Sequence, residues 1–239
     1  RRLDRALRAA LKGRRGTESV AVYDRVRRLS CGVQASRRYD SASVIKVTVL
    51  AALLRKHMAA DRRLTKNERA LAHRMITRSD NDATSALWRS IGRRDLQHFL
   101  TLAKMRNTTL GKNGHWGLSQ LNAADQIRLL RVLTRPNKVL NDRSRRYALS
   151  LMSQVVPAQR WGTTAGRPTG IDWHVKNGWL PRHGRHWRVH SIGAFDGRGR
   201  DYMIVVLTRD TPSMRYGVQT IERVARAVHR TLNPGRRAA

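Results

Sequence analysis

Leu3, Ala6, Leu7, Ala10 and Leu11 recur at helical spacing near the start of the chain, which predicts an amphipathic helix with one buried stripe. Gly13 and Gly16 bracket its exit. Residues 19–24 and 29–33 then read as two strands close enough to form a hairpin. Residues 43–56 are apolar on nearly every side, the pattern of a helix enclosed by other elements. From residue 66 to about 151 the spacing is helical throughout, with breaks near Ser79, Gly92, the 111–117 stretch and Pro136-Asn137. The last third returns to strands at 172–179, 187–195 and 202–208. In the last of these, Met203 to Leu207 are continuously apolar, so both faces should be covered. A closing helix carries Val218, Ile221, Val224, Ala225, Val228 and Leu232 on one side.

The order helix, two strands, helical block, three strands, helix requires strands about 140 residues apart to meet in one sheet of useful width. It implies an α/β (α+β) fold: an antiparallel β-sheet flanked by the terminal helices, plus an all-helical subdomain. A single domain over 1–239 is expected, with its α/β part at 1–42 and 165–239 and its helical part at 43–164. A crevice between the two parts is where a site should form.

Composition changes this picture in three ways. The longest apolar run, 44–54, is interrupted by Lys46 and Thr48, so no segment is expected to span a bilayer. Lysine and arginine total 49 against 16 acids, a formal net charge of +33, with eight lysines and 41 arginines. Such a surface attracts polyanions without selectivity. The arginines are spread over every segment, however, which fits a general surface bias as well as a binding face. Finally, the single cysteine, Cys31, forbids an internal disulfide and a multi-cysteine metal site, and it sits in a strand-like stretch where a packed thiol is the ordinary outcome. Arg1-Arg2-Leu3-Asp4 shows no apolar signal region, so an export signal has either been removed or never existed.

Among fourteen serines only Ser43 has a lysine three residues on, Lys46. The spacing puts both on neighbouring positions of one helix face. A lysine in an apolar setting can be neutral enough to take a serine proton, which makes the pair a candidate nucleophile and base. Chance alone supplies about 0.5 such pairs in a chain of this composition. Ser79-Asp80-Asn81 is more specific, at about 0.03 by the same reasoning, although these residues are also preferred helix caps. Lys-Asn-Gly occurs twice. Residues 112–114 lie in a glycine-flanked loop, whereas Lys176-Asn177-Gly178 ends an alternating strand and can line a cleft from a sheet edge.

In this order, Ser43-x-x-Lys46, Ser79-Asp80-Asn81 and Lys176-Asn177-Gly178 resemble the signature of the penicillin-recognising serine enzymes, the class A β-lactamases and penicillin-binding proteins. The resemblance extends over nearly the whole chain and implies a β-lactamase/transpeptidase-like fold. It implies that Ser43 attacks the carbonyl of a β-lactam or peptidoglycan-like amide to form an acyl-enzyme, with Lys46 as base. The backbone N–H groups of Ser43 and Trp179, the latter just past Gly178, would form the oxyanion hole. Ser79 would pass a proton to the departing nitrogen, Asn81 would hold the substrate's side-chain amide, and Lys176 would attract its carboxylate. No cofactor and no metal are implied, and paired ligand spacing is absent around His73, His174, His190 and His229. The further expectations are a monomer working outside the cytoplasm on a small-molecule β-lactam or a wall-like peptide, with non-specific polyanion binding.

Two departures stand out. Asn177 occupies a position where the family usually has Thr or Ser, so an amide would replace a hydroxyl toward the substrate carboxylate. The only glutamates are Glu18, Glu68 and Glu222, so no loop glutamate is available to activate a hydrolytic water. Asp125 is a candidate substitute, but its place in the first turn of a helix also suits a favourable helix charge. Deacylation is therefore expected to be slow, or to use Lys46 and water as in the peptidase branch. Trp116 and Trp179 are expected near the substrate, and Arg78, Arg182 and Arg188 are candidates to meet an acidic one. The competing function is a penicillin-binding sensor, or a polyanion-binding protein on a retired hydrolase fold.

Overall fold

The structure is a computed structural model that describes residues 1–182, 184 and 186–235. In chain order its elements are α1 (Arg2–Leu11), β1 (Thr17–Asp24), β2 (Leu29–Val33), β3 (Tyr39–Asp40), a 3-10 turn at Ala42–Val44, α2 (Ile45–Ala59), α3 (Lys66–Thr77), α4 (Asn81–Ile91), α5 (Arg93–Leu102), a 3-10 turn at Trp116–Leu118, β4 (Gln120–Leu121), α6 (Ala123–Thr134), α7 (Asp142–Ser153), β5 (Asp172–Arg182), β6 (His186–Gly197), β7 (Arg200–Thr211) and α8 (Met214–Leu232). The basic tail beyond Gly235 lies outside the described residues.

The five long strands form one antiparallel sheet in the order β2-β1-β7-β6-β5. Pairing of β1 with β7, in the register Val20 with Val206, joins strands from the two ends of the chain. β7 is central, which is why Met203 to Leu207 are all fully buried. Alternation divides them between two cores. Met203, Val205 and Leu207 face the helical block, while Ile204 and Val206 join Leu3 and Leu7 of α1 and Ile221, Val224 and Val228 of α8. Each such side chain contributes roughly 1.5–3 kcal/mol relative to exposure.

α2 is the axis of the helical block. Every residue from Ile45 to Leu54 is buried, including Lys46 and Thr48, and α4, α5 and α7 pack around it. Short side chains start the surrounding helices. Thr65 and Glu68 form a reciprocal capping box on α3, Asp80 caps α4, Asn122 caps α6 and Asn141 caps α7.

Three details differ from the sequence pattern. The helix expected from residue 43 is α-helical only from Ile45, because Ala42 adopts φ +46° and the chain enters through a tight turn carrying Ser43. β5 runs on to Arg182, because its pairing with β6 continues to Arg182 opposite His186. The ribbon of β3 with β4, joining Tyr39 to Leu121 and Asp40 to Gln120, is too short for any periodicity to reveal.

Candidate active site

The buried amino end of α2, the turn between α3 and α4, and the edge strand β5 meet at one point. Ser43 sits half-buried in the turn that opens α2, and among the described residues its hydroxyl has no hydrogen-bond partner. The turn is held from both sides. The Ser41 amide donates to Ser119 O at 2.7 Å, and its hydroxyl lies 3.2 Å from Trp116 O and 3.3 Å from Gly117 O. Neutral His190 on β6 accepts the Thr208 amide at Nδ1 (3.2 Å), so its Nε2–H donates to Asp40 O at 2.8 Å. Burial pushes this imidazole down to about 4, which keeps it neutral.

Lys46 projects from the first turn of α2 and is fully buried. Its ammonium donates to Ser79 O (2.6 Å), Ser79 Oγ (3.1 Å) and Asn81 Oδ1 (2.7 Å). Burial lowers its pKa to about 7, against a smaller opposing pull from Asp80. Ser79 itself stands at φ +59°, a conformation a serine adopts at some cost and which presents its carbonyl and hydroxyl to the same amine. Lys176 reaches the same hydroxyl from β5, with Nζ 3.0 Å from Ser79 Oγ and 2.9 Å from Asn177 O. It too is fully buried, and burial together with the neighbouring Lys46 holds it well below the ordinary lysine range. Two amines thus converge on one serine hydroxyl, and two buried positive charges so close cannot both persist at neutral pH.

Gly178 explains how β5 comes so near. A Cβ there would lie 2.7 Å from Ser43 N and 2.8 Å from Val44 N, so only glycine lets the strand edge close on the Ser43 turn. With β5 at the end of the sheet, the backbone groups on its outer side face this turn rather than another strand.

Ser43, Lys46, Ser79, Asn81, Lys176 and Gly178 are therefore gathered at one place. Asn177 is not aimed into it. It is fully buried, and its Nδ2 donates to Gln159 O at 2.9 Å and Trp161 O at 2.8 Å, so both amide protons expected for a substrate carboxylate are spent on the 157–161 segment. Strand alternation is the reason: Lys176 and Gly178 face the helical block, whereas Asn177 and Trp179 face the other way. The Trp179 ring packs against Trp161, with centroids 6.0 Å apart. Trp116, by contrast, lies over the Lys46 amine at 4.7 Å and donates its indole N–H to Ser85 Oγ at 3.1 Å.

Asp125 is buried and committed elsewhere. It accepts from the Asn107 amide, Thr108 Oγ1 and Arg128, and so ties a loop to the start of α6. The segment that touches the Ser43 turn contains no acid at all, since residues 96–124 lack both Asp and Glu. Two of the arginines considered for an acidic substrate are engaged: Arg182 and Arg188 lie 3.5 Å and 3.3 Å from the Asp40 carboxylate. Arg78 is exposed beside Ser79. No group of three or more metal-ligating side chains occurs among the described residues.

The sequence reading missed Asp40, Ser41, Ser119 and His190, which hold the turn. Their partners lie 75 to 150 positions away, beyond the reach of local spacing.

A model of the β-lactamase enzyme family matches residues 67–232. No curated protein sequence matches the chain significantly. Among solved structures, the TLA-3 extended-spectrum β-lactamase superposes with a TM-score of 0.86 at 15% identity, covering 96% of this chain and 98% of that one. A class A β-lactamase from Bacteroides cellulosilyticus gives 0.85 at 15% identity, with 97% of each chain covered. A mutant of PBP-A, solved as its acyl-enzyme with penicillin G, gives 0.82 at 19% identity over 97% of this chain and 96% of that one. At these identities the likeness is one of fold.

Proposed function

Because the chain belongs to the β-lactamase enzyme family, we propose that it is an active-site serine hydrolase that forms an acyl-enzyme on Ser43 with β-lactams or related peptide-like amides. The observation that carries this reading is the convergence of Lys46 and Lys176 on Ser79 Oγ beside a half-buried, unpartnered Ser43 hydroxyl.

The chemistry follows from the groups at hand. Lys46, whose pKa burial lowers to about 7, takes the Ser43 proton as Oγ bonds to the substrate carbonyl carbon. The charge that develops on the carbonyl oxygen is met by the Ser43 and Trp179 backbone N–H groups and by the amino end of α2. When the C–N bond breaks, Ser79 passes its proton to the leaving nitrogen and recovers one from the amines around it, which returns the proton first taken from Ser43. Asn81 orients Lys46 and the substrate amide. The product is an ester on Ser43 and a free amine, and in a β-lactam both stay on one molecule.

Release of that ester requires an activated water. Residues 96–124 offer no carboxylate for this and Lys46 is the base already at hand, so in this reading the acyl-enzyme accumulates and the chain behaves like the peptidase branch of the superfamily. An extracytoplasmic location, where such substrates occur, belongs to the same proposal; among the described residues no helix is long and apolar enough to cross a membrane.

Intact-mass spectrometry after brief exposure to penicillin G tests the reading. One penicillin adduct per chain is expected, located on Ser43, decaying slowly and absent from Ser43→Ala. A folded protein that takes up no adduct would overturn it, and rapid turnover of nitrocefin would overturn the accumulation step.

A further inference from the structure

At the opposite end of α2 from Ser43, a cavity of about 460 Å³ opens between α2, the connection to α3, and the first turns of α7. Roughly 17 Å of helix separates Lys46 from His57 at its wall, so nothing bound there touches the nucleophile. The volume lies within the range of small-molecule sites.

Its lining has two characters. Leu54, Met58 and Tyr147 supply an apolar floor, while Arg62, Arg63, Arg69 and Arg143 stand around the opening. Among the described residues none of these four guanidiniums is paired with a carboxylate. The neighbouring acids are largely spent: Glu68 binds His57 Nε2 at 2.8 Å and the Thr65 amide at 2.8 Å, and Asp142 pairs with Arg145. Asp61 is the one carboxylate in the lining, which leaves a clear excess of positive charge.

A second observation concerns the polar groups. Ser144 is only 9% exposed, and among the described residues its hydroxyl has no hydrogen-bond partner. The half-buried Tyr147 hydroxyl is likewise unpartnered, as is the buried His57 Nδ1. Of these atoms His57 Nδ1 is fully enclosed and costly to leave unsatisfied, while the Ser144 and Tyr147 hydroxyls line the cavity and are open to a partner within it. Ser144 also stands in the first turn of the twelve-residue α7, whose amino end favours a negative charge. The carboxyl end of α2, which would oppose one, is partly covered, since His57 O accepts the amides of Ala60 and Arg62.

We propose that this cavity is a binding site for a small amphiphilic anion, with its apolar body on Leu54, Met58 and Tyr147 and a carboxylate or phosphate head among the four arginines, hydrogen-bonded by Ser144. Planar guanidiniums match either head in bidentate fashion. The apolar floor separates this from the general attraction of a +33 protein for anions, which distinguishes no body from no other.

Isothermal titration in 150 mM NaCl tests it with octyl phosphate and octanoate below their micellar concentrations, against inorganic phosphate and acetate as heads without a body. At least one amphiphile is expected to bind tenfold or more tighter than its bare head. The double variant Arg69→Ala with Arg143→Ala should weaken it at least tenfold, and Ser144→Ala about threefold. Arg5→Ala with Arg94→Ala removes the same charge elsewhere and should change it less than twofold. Ser43→Ala should bind as the parent does, which keeps this site separable from the acyl-enzyme reading. Equal binding of amphiphile and bare head, or equal loss in the two double variants, would overturn the proposal.

Discussion

Lys46 shows how a single residue changes character with its surroundings. In water its amine would stay protonated throughout the physiological range, but enclosed by α2, α4 and Trp116 it is brought to about 7. The base form therefore appears as pH rises through 7. The rate of Ser43 acylation by a penicillin, followed from pH 5.5 to 9, should fall about tenfold per unit below 7 and level off above it. A rate flat from 6 to 8 would remove Lys46 from the role of base. Lys46→Arg keeps the charge but cannot shed the proton, so acylation should drop by about 10²–10⁴-fold with the fold intact. The serine and its lysine were readable from their spacing. The buried tether formed by Asn177 was not, because strand alternation says which side a residue faces only once the faces are known.

At the scale of elements, the site depends on the edge of β5 lying against the turn that opens α2. Gly178 is the residue that permits it. Gly178→Ala would place a methyl 2.7 Å from Ser43 N, and backbone atoms on both sides must separate. Acylation is expected to fall about 100-fold or more, while the melting temperature moves by only a few degrees, because the displacement is confined to an edge strand. Unchanged labelling would mean the contact does not position Ser43. Helix starts are a milder matter. Thr65→Ala removes the side-chain half of the capping box on α3, leaving the backbone N–H of residue 65 on Glu68, and should cost about 1 kcal/mol by urea unfolding, with no effect on labelling.

For the whole molecule, two buried histidines link folding to pH. His190 pins the turn carrying Ser43 through Asp40 O, and His229 shares a hydrogen bond with Tyr202 while its Nε2–H donates to Thr163 O at 2.8 Å. Burial pushes both down to about 4. An unfolded histidine titrates near 6.5, so between 6.5 and 4 the unfolded chain binds protons that the folded chain refuses. Stability is then fully present above 6.5 and is lost as pH falls toward 4, with a slope on the order of 1.4 kcal/mol per pH unit for each histidine. Urea unfolding at pH 6.5, 5.5 and 4.5 measures this slope, and His190→Asn with His229→Asn should flatten it; an unaltered slope would assign the acid sensitivity to other groups.

Much of this protein follows from local pattern alone. Helical and alternating periodicities located the long elements, since each must bury one face, and the continuous apolar run of β7 marked a strand covered on both. Ser43, Lys46, Ser79 and Lys176 stood out as candidates because the residues of each motif are close neighbours in the chain. What required the folded chain is everything that joins distant segments: the pairing of β1 with β7, the anchoring of the Ser43 turn by residues up to 150 positions away, and the depressed basicity of two lysines. Those properties depend on distance and enclosure in three dimensions, which the order of residues along a chain does not contain.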